Sequence, residues 1–288
     1  MRSGAPLLGW TTSNLLQVES QSSSWYNALE TSLSKRFTHG LQFLASYTFA
    51  KDLSTDVYST IGANGGVAVG DQRNDRARYG IDQFVRQHRF VVSYVYDLPF
   101  FRQNHSALSY AFGGWRVSGV TVIQSGHPLS VFNTNVNNAF GINGFGSDFA
   151  QLAPGCDQNH IATSGAVTSR LNNYINASCF TAPPVIGDPE FDPATGTVHP
   201  VATGFGNSRP GIIRGPDQRN TDLAISKRFG LPWPNEVSNL EFRGELFNAF
   251  NTPQFADPDT EQDSATFGQV LSTVASPRVV QFALKFNF

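Results

Sequence analysis

Apolar and polar residues alternate with a period of two in seven separate stretches of this chain, and no comparable helical period competes with them. Period two belongs to the β-strand, whose successive side chains point to opposite faces. The stretches are 25–37, 41–51, 86–97, 114–126, 219–229, 239–250 and 279–288. In the first, Trp25, Leu29, Leu33 and Phe37 share one face, and Tyr26, Glu30, Ser32, Ser34 and Arg36 share the other. In the sixth, Leu240, Phe242, Leu246 and Phe250 alternate with Glu241, Arg243 and Glu245. The fourth, with Trp115, Val117, Thr121 and Ile123 set against Arg116, Ser118 and Gln124, is the least clean. Thr38-His39-Gly40 reads as a tight turn with glycine at its end.

Each stretch runs about ten residues, which suits a tilted strand crossing a bilayer. The connections alternate: short (38–40), long (52–85), short (98–113), long (127–218), short (230–238), long (251–278). That rhythm matches a transmembrane β-barrel with short periplasmic turns and long outer loops. Loops beyond about 15 residues argue against an ordinary compact domain. No run of about 18 apolar residues exists, which excludes a helical membrane protein. The net charge of −2 argues against a strongly basic nucleic-acid binder, and 12% aromatic residues argue against disorder. The expected fold is all-β: an antiparallel transmembrane β-barrel fragment of about seven long strands, forming an open curved sheet when alone. Residues 1–24 read as an extracellular loop remnant and 25–288 as the C-terminal part of an outer-membrane barrel. An eighth strand in 7–20 and a small hairpin in 129–135 are further expectations.

Strand ends carry a second signal. Leu33-Ser34-Lys35-Arg36-Phe37 and Ile225-Ser226-Lys227-Arg228-Phe229 are nearly the same words, both at the turn side. Phe37 and Phe229 at headgroup level, with Lys35 and Lys227 snorkelling outward, would anchor their strands at the membrane interface. The chain closes on Phe282, Leu284, Phe286 and Phe288, all on one face. A terminal aromatic on an alternating strand resembles the C-terminal assembly signal of bacterial outer-membrane proteins, which insertion machinery reads by strand addition at an exposed edge. On a soluble protein that face would be an aggregation hazard.

Chemistry-bearing patterns are sparse, and the chain is not expected to be an enzyme. No histidines stand at zinc spacing and no G-x-S-x-G elbow is present. His127 with Ser125 and Ser130 is the one crude hydrolase arrangement, and a loop histidine before Pro128 is the plainer reading. The densest charge cluster, Asp71 to Arg78, offers Arg73, Arg76 and Arg78 as loop contacts to an anionic ligand, against a solvated loop held by internal ion pairs. Carboxylates at Asp148, Asp188, Glu190 and Asp192, and at Asp257, Asp259, Glu261 and Asp263, could attract calcium, although no EF-hand pattern exists. No metal or cofactor is expected. Cys156 and Cys179 fall in one long loop; a bridge suits an oxidising compartment, and two free thiols are the alternative.

Particular words then match one family. They are Ser24-Trp25-Tyr26-Asn27-Ala28-Leu29-Glu30, Ser34-Lys35-Arg36-Phe37, Ser46-Tyr47-Thr48-Phe49-Ala50-Lys51, Arg214-Gly215-Pro216, Asn220-Thr221-Asp222-Leu223, Phe242-Arg243-Gly244-Glu245-Leu246-Phe247-Asn248 and Arg278-Val279-Val280-Gln281-Phe282. The chain resembles the C-terminal barrel part of the Oar-like TonB-dependent receptors, which carry an N-terminal carboxypeptidase-regulatory-like domain. The resemblance implies a barrel of about 22 strands with a plug, localisation in the outer membrane, uptake of a bulky ligand and coupling to the TonB complex. Seven strands fall short of that barrel, and no plug or secretory leader is legible. The expectation is the tail of a longer receptor that meets TonB only through the part absent here. Its other partners would be outer-membrane lipid and the barrel-assembly machinery. A structural or adhesive barrel without energy coupling, and a secreted glycan-binding β-sandwich, are the alternatives.

Overall fold

All seven alternating stretches are strands in the structure, a computed structural model that describes residues 22–55, 70, 74–100, 107–133, 148–184, 190–192, 197–199, 204–235 and 237–288. They are β1 (Ser24–Thr38), β2 (Leu41–Ser54), β3 (His88–Asp97), β4 (Trp115–Gln124), β5 (Gln218–Gly230), β6 (Asn239–Phe247) and β7 (Val279–Asn287). Each pairs antiparallel with the next, so the sheet is one up-and-down meander. Gly80–Ile81 adds a two-residue strand against the end of β2. Among the described residues β1 and β7 have one partner each, and the sheet is open rather than a closed barrel. The β1–β2 turn is His39-Gly40, both at positive φ, as a two-residue type I′ hairpin requires.

Directly opposed residues of an antiparallel pair share a face. One row across the sheet therefore reads Leu41, Tyr96, Val117, Ile225, Gly244, Phe282. The adjacent parity reads Gln42, Val95, Ser118, Ala224, Glu245, Gln281. The alternation found strand by strand is thus in phase from β2 to β7, with one apolar face and one largely polar face; in β1 it holds to Lys35, where a register shift before Thr38 breaks it ahead of Phe37. A slip of one residue at any pairing would put charges on the apolar side. Strand β6 ends at Phe247, short of the expected Phe250, because Asn248 takes φ 50° and its amide donates to Asp222 Oδ1 at 2.8 Å. Phe250 is exposed beyond the strand.

The buried apolar core lies outside the sheet. Val131, Ala150, Ile161, Tyr174, Ile175, Cys179, Phe180, Ile213 and Val270 pack together, drawn from the long connections 125–217 and 248–278. These connections fold as a cap with its own core at the long-loop end of the meander. Its ladders are two residues long: Phe180–Thr181 with Gln151–Leu152, Ile213–Arg214 with Pro128–Leu129, and Phe132–Asn133 with Asp148–Phe149. The expected hairpin in 129–135 is therefore corrected: its two halves pair with distant segments, not with each other. The reason is Val131, which is fully buried and turns the chain into the cap core. The expected strand in 7–20 lies outside the described residues.

Candidate functional site

The polar face and the cap meet at the long-loop rim, where the candidate site lies. On the polar face, charges pair with neighbours on the sheet. Arg116 gives two hydrogen bonds to Asp97 (2.6 and 3.2 Å), Arg228 reaches Glu241 (2.9 Å) and Arg243 reaches Glu245 (2.8 Å). Such exposed pairs each contribute about 0.2–1 kcal/mol, so their weight is in the surface they present rather than in stability. Among them runs an open groove of about 500 Å³, lined by Gln42, Leu44, Ser93, Asp222, Arg243 and Phe247. It offers both signs of charge, amide groups and apolar patches. This surface suits non-covalent recognition of an amphipathic partner.

At the rim, backbone segments approach too closely for side chains. A Cβ on Gly126 would stand 1.9 Å from the Gly215 carbonyl, and one on Gly215 would stand 2.3 Å from Asp257 Oδ1. Gly215 N donates to the His127 carbonyl at 2.8 Å and Gly126 N to Asp217 Oδ1 at 3.1 Å. Arg86 donates to the Ser125 carbonyl at 2.6 Å and to His127 Nε2. Because Nε2 accepts, the His127 proton sits on Nδ1 and is given to the Gln83 carbonyl at 3.2 Å. Burial pushes the Asp257 carboxyl above the usual carboxylate range, against the pull of the Arg86 guanidinium. Burial likewise lowers Arg86, with Asp257 and Asp217 opposing. Tyr174 carries the contact into the cap: its hydroxyl donates to the Arg214 carbonyl at 2.9 Å, and Arg170 lies 4.1 Å over its ring.

This arrangement gives the three residues of the crude hydrolase reading other partners. Both ring nitrogens of His127 are engaged, the Ser125 hydroxyl accepts from His88 N at 3.0 Å, and the buried Ser130 hydroxyl accepts from Gly211 N at 2.7 Å. The three side chains serve the backbone around them. The acidic stretch behaves alike. Asp259 accepts from Ser264, Thr266 and the Glu261 amide (2.6–3.0 Å), which hold its carboxyl below the usual range although burial opposes them. No cluster of three metal-ligating side chains occurs among the described residues.

The other residues singled out fall as follows. Cys156 and Cys179 are bonded, with Cα atoms 5.6 Å apart, and the bridge ties the 148–184 part of the cap to its core. Arg76 and Arg78 sit on the short helix α1 (Asp75–Arg78), where Arg78 pairs with Asp75 at 2.6 Å. Arg73 and Asp188 lie outside the described residues. Phe282, Leu284, Phe286 and Phe288 line the apolar side of the unpaired β7 edge, all exposed. Phe37 is exposed at the end of β1 and Lys35 half-buried. Lys227 departs from the snorkelling expectation. It is 5% exposed, and its Nζ donates to the Tyr110 and Ala111 carbonyls at the end of helix α2 (Ala107–Phe112). The helix covers it, so it cannot reach outward. Arg86 and Tyr174, which build the rim with Asp257, carried no signal in the sequence, because they are far apart in the chain and stand in no motif; Asp257 was legible only as one of an acidic run, not as a partner of Arg86.

A family model described as "Outer membrane beta barrel domain" matches residues 2–281. No curated protein and no solved structure matches the chain.

Proposed function

The chain belongs to the outer membrane beta barrel family and lies in the outer membrane, and from this premise we propose that it is the barrel wall of a TonB-dependent receptor that takes up a bulky nutrient. The apolar face then meets lipid and the polar face the lumen, as in outer-membrane barrels generally. The observation that carries the reading is the in-phase meander whose two outer strands, β1 and β7, each have one long-strand neighbour among the described residues. Bilayer lipid tolerates no open sheet edge, so further strands must stand between β7 and β1. A wall of seven long strands that closes only with more neighbours fits a wide barrel rather than a small one. The family words quoted above support the energy-coupled receptors within that class. The cap and rim would capture the ligand, and no covalent chemistry is needed. Cytoplasmic energy would enter through the TonB complex.

The secreted sandwich reading loses ground, because a sandwich requires two face-packed sheets and the seven long strands form one. A structural or adhesive barrel without energy coupling has no specific observation in its favour. The test is the size of the native protein in outer-membrane fractions, read by immunoblot against β7. A band several-fold above 31.4 kDa that crosslinks to TonB supports the receptor. A membrane-embedded band at 31.4 kDa without TonB contact overturns it in favour of the structural barrel.

A further inference from the structure

Helix α2 is an odd object in a barrel. The short side of such a sheet is normally closed by tight turns, yet the 98–114 connection carries a helix that folds back onto the sheet. Which face it covers follows from register. Lys227 opposes Trp115 on β4 and Phe242 on β6, and all three share the parity of Ile225 and Phe229, the apolar side. Lys227 Nζ lies 4.9 Å over the Phe229 ring and 5.7 Å over Trp115. Trp115 Nε1 donates to the Ala111 carbonyl at 3.2 Å, and Tyr110 packs 5.7 Å from Phe229. The helix therefore rests on the lipid-facing side of the wall, at its short-turn end. Gly114, at φ 73°, reverses the chain into β4.

Lys227 resolves a problem that this placement creates. The last carbonyls of a helix need donors, and water is scarce at a lipid-facing wall. The buried ammonium supplies two hydrogen bonds to them and has its own charge cushioned by three aromatic faces. Tyr110 rests one side of its ring against Phe229 and Lys227 yet stays 58% exposed, and Phe112 is 60% exposed, with no charged residue on the helix. The exposed aromatic surface continues at the same end with Phe37, Trp233 and Phe288.

We propose that α2, seated on Lys227, is a membrane-interface anchor whose Tyr110 and Phe112 lie among the phospholipid headgroups of the leaflet beside the short turns. Two observations select lipid as the occupant. The helix surface is continuous with a face that already meets lipid, and its exposed side presents aromatic rings, the side chains that concentrate at headgroup level. The two cysteines of this chain are bonded to each other, so a new cysteine is the sole free thiol within it.

The test uses the full protein in native outer membranes, labelled with a polarity-sensitive fluorophore at Phe112→Cys and, separately, at Tyr110→Cys. Thr168→Cys, exposed on the cap, is the aqueous control. Lipids carrying a quencher near the headgroup are expected to quench the α2 labels about twofold more than lipids with a deep acyl quencher, and aqueous iodide is expected to act weakly. Stronger quenching by the deep lipid, quenching by iodide alone, or none from any source overturns the proposal. The paired labels guard against one variant failing to assemble.

Discussion

Single side chains set the rim and the turn side, and each can be challenged. Lys227→Met keeps the length and removes the donor, leaving the Tyr110 and Ala111 carbonyls without it. Charged hydrogen bonds contribute about 1.5–3 kcal/mol, and a loss of that order is expected as a lower midpoint in heat-modifiable gel mobility. Unchanged mobility would mean the ammonium is replaceable by water. Gly126→Ala should cost at least about 1–3 kcal/mol, since its Cβ would meet backbone that cannot move aside. Gly230→Ala, with open space around it, should be near neutral. Asp257 gives a pH test. Its raised pKa means the folded cap holds the proton more tightly than the unfolded chain does. The cap should therefore lose stability as pH rises from the ordinary carboxylate range through the raised value. Asp257→Asn should flatten that dependence, read as intrinsic-rate-corrected hydrogen exchange at the Gly215 amide, which is bonded to the His127 carbonyl. A slope unchanged in the variant would remove Asp257 from the account. The lysine pair shows what the sequence conveys at this scale. Lys35 and Lys227 stand in nearly identical words, yet one is half-buried and the other is sealed beneath a helix. Local words do not say what will cover them.

At the scale of elements, strands were legible and the cap was not. The strand ends moved by no more than three residues from the alternation; the two three-residue shifts are the extension of β2 to Ser54 and the stop of β6 before Asn248, whose φ is positive. Strand parity has a direct check. Phe282→Lys places a charge on the lipid side and should cost about 2–4 kcal/mol near the midplane. Gln281→Lys, one residue away and opposite Glu245, should be tolerated. Equal effects on assembly would mean the faces are not distinguished. The cap core is built from single buried residues between two-residue ladders, with Val131, Ile161, Ile213 and Val270 as examples. No period arises from isolated positions, so pattern reading finds only loops there. The Cys156–Cys179 bridge closes a separation of 23 residues, worth on the order of 3 kcal/mol by chain entropy. Replacing both with Ser should make the cap protease-sensitive while the sheet keeps its heat-modifiable mobility. Joint loss of the two would show that cap and sheet fold as one unit.

For the whole molecule, the usual arrangement of inside and outside is divided. The sheet buries few apolar residues of its own, as a wall with one face for lipid and one for a lumen would, while the cap holds a core of the water-soluble kind. By itself the sequence determined the number of long strands, their order as a meander and the face of most of their residues; the register shift between Lys35 and Thr38 and the stop at Asn248 broke the expected alternation at Phe37 and Phe250. Those features follow from a period of two and from connection lengths, which are local and survive without knowledge of any contact. It also placed the two cysteines in one loop. Only the tertiary structure decided where the long loops converge, that Arg86, His127, Asp217 and Gly215 meet at the rim, and that α2 lies on the apolar face above Lys227. Those contacts join segments far apart in the chain through close backbone approach and single hydrogen bonds, which leave no periodic trace for a sequence to display.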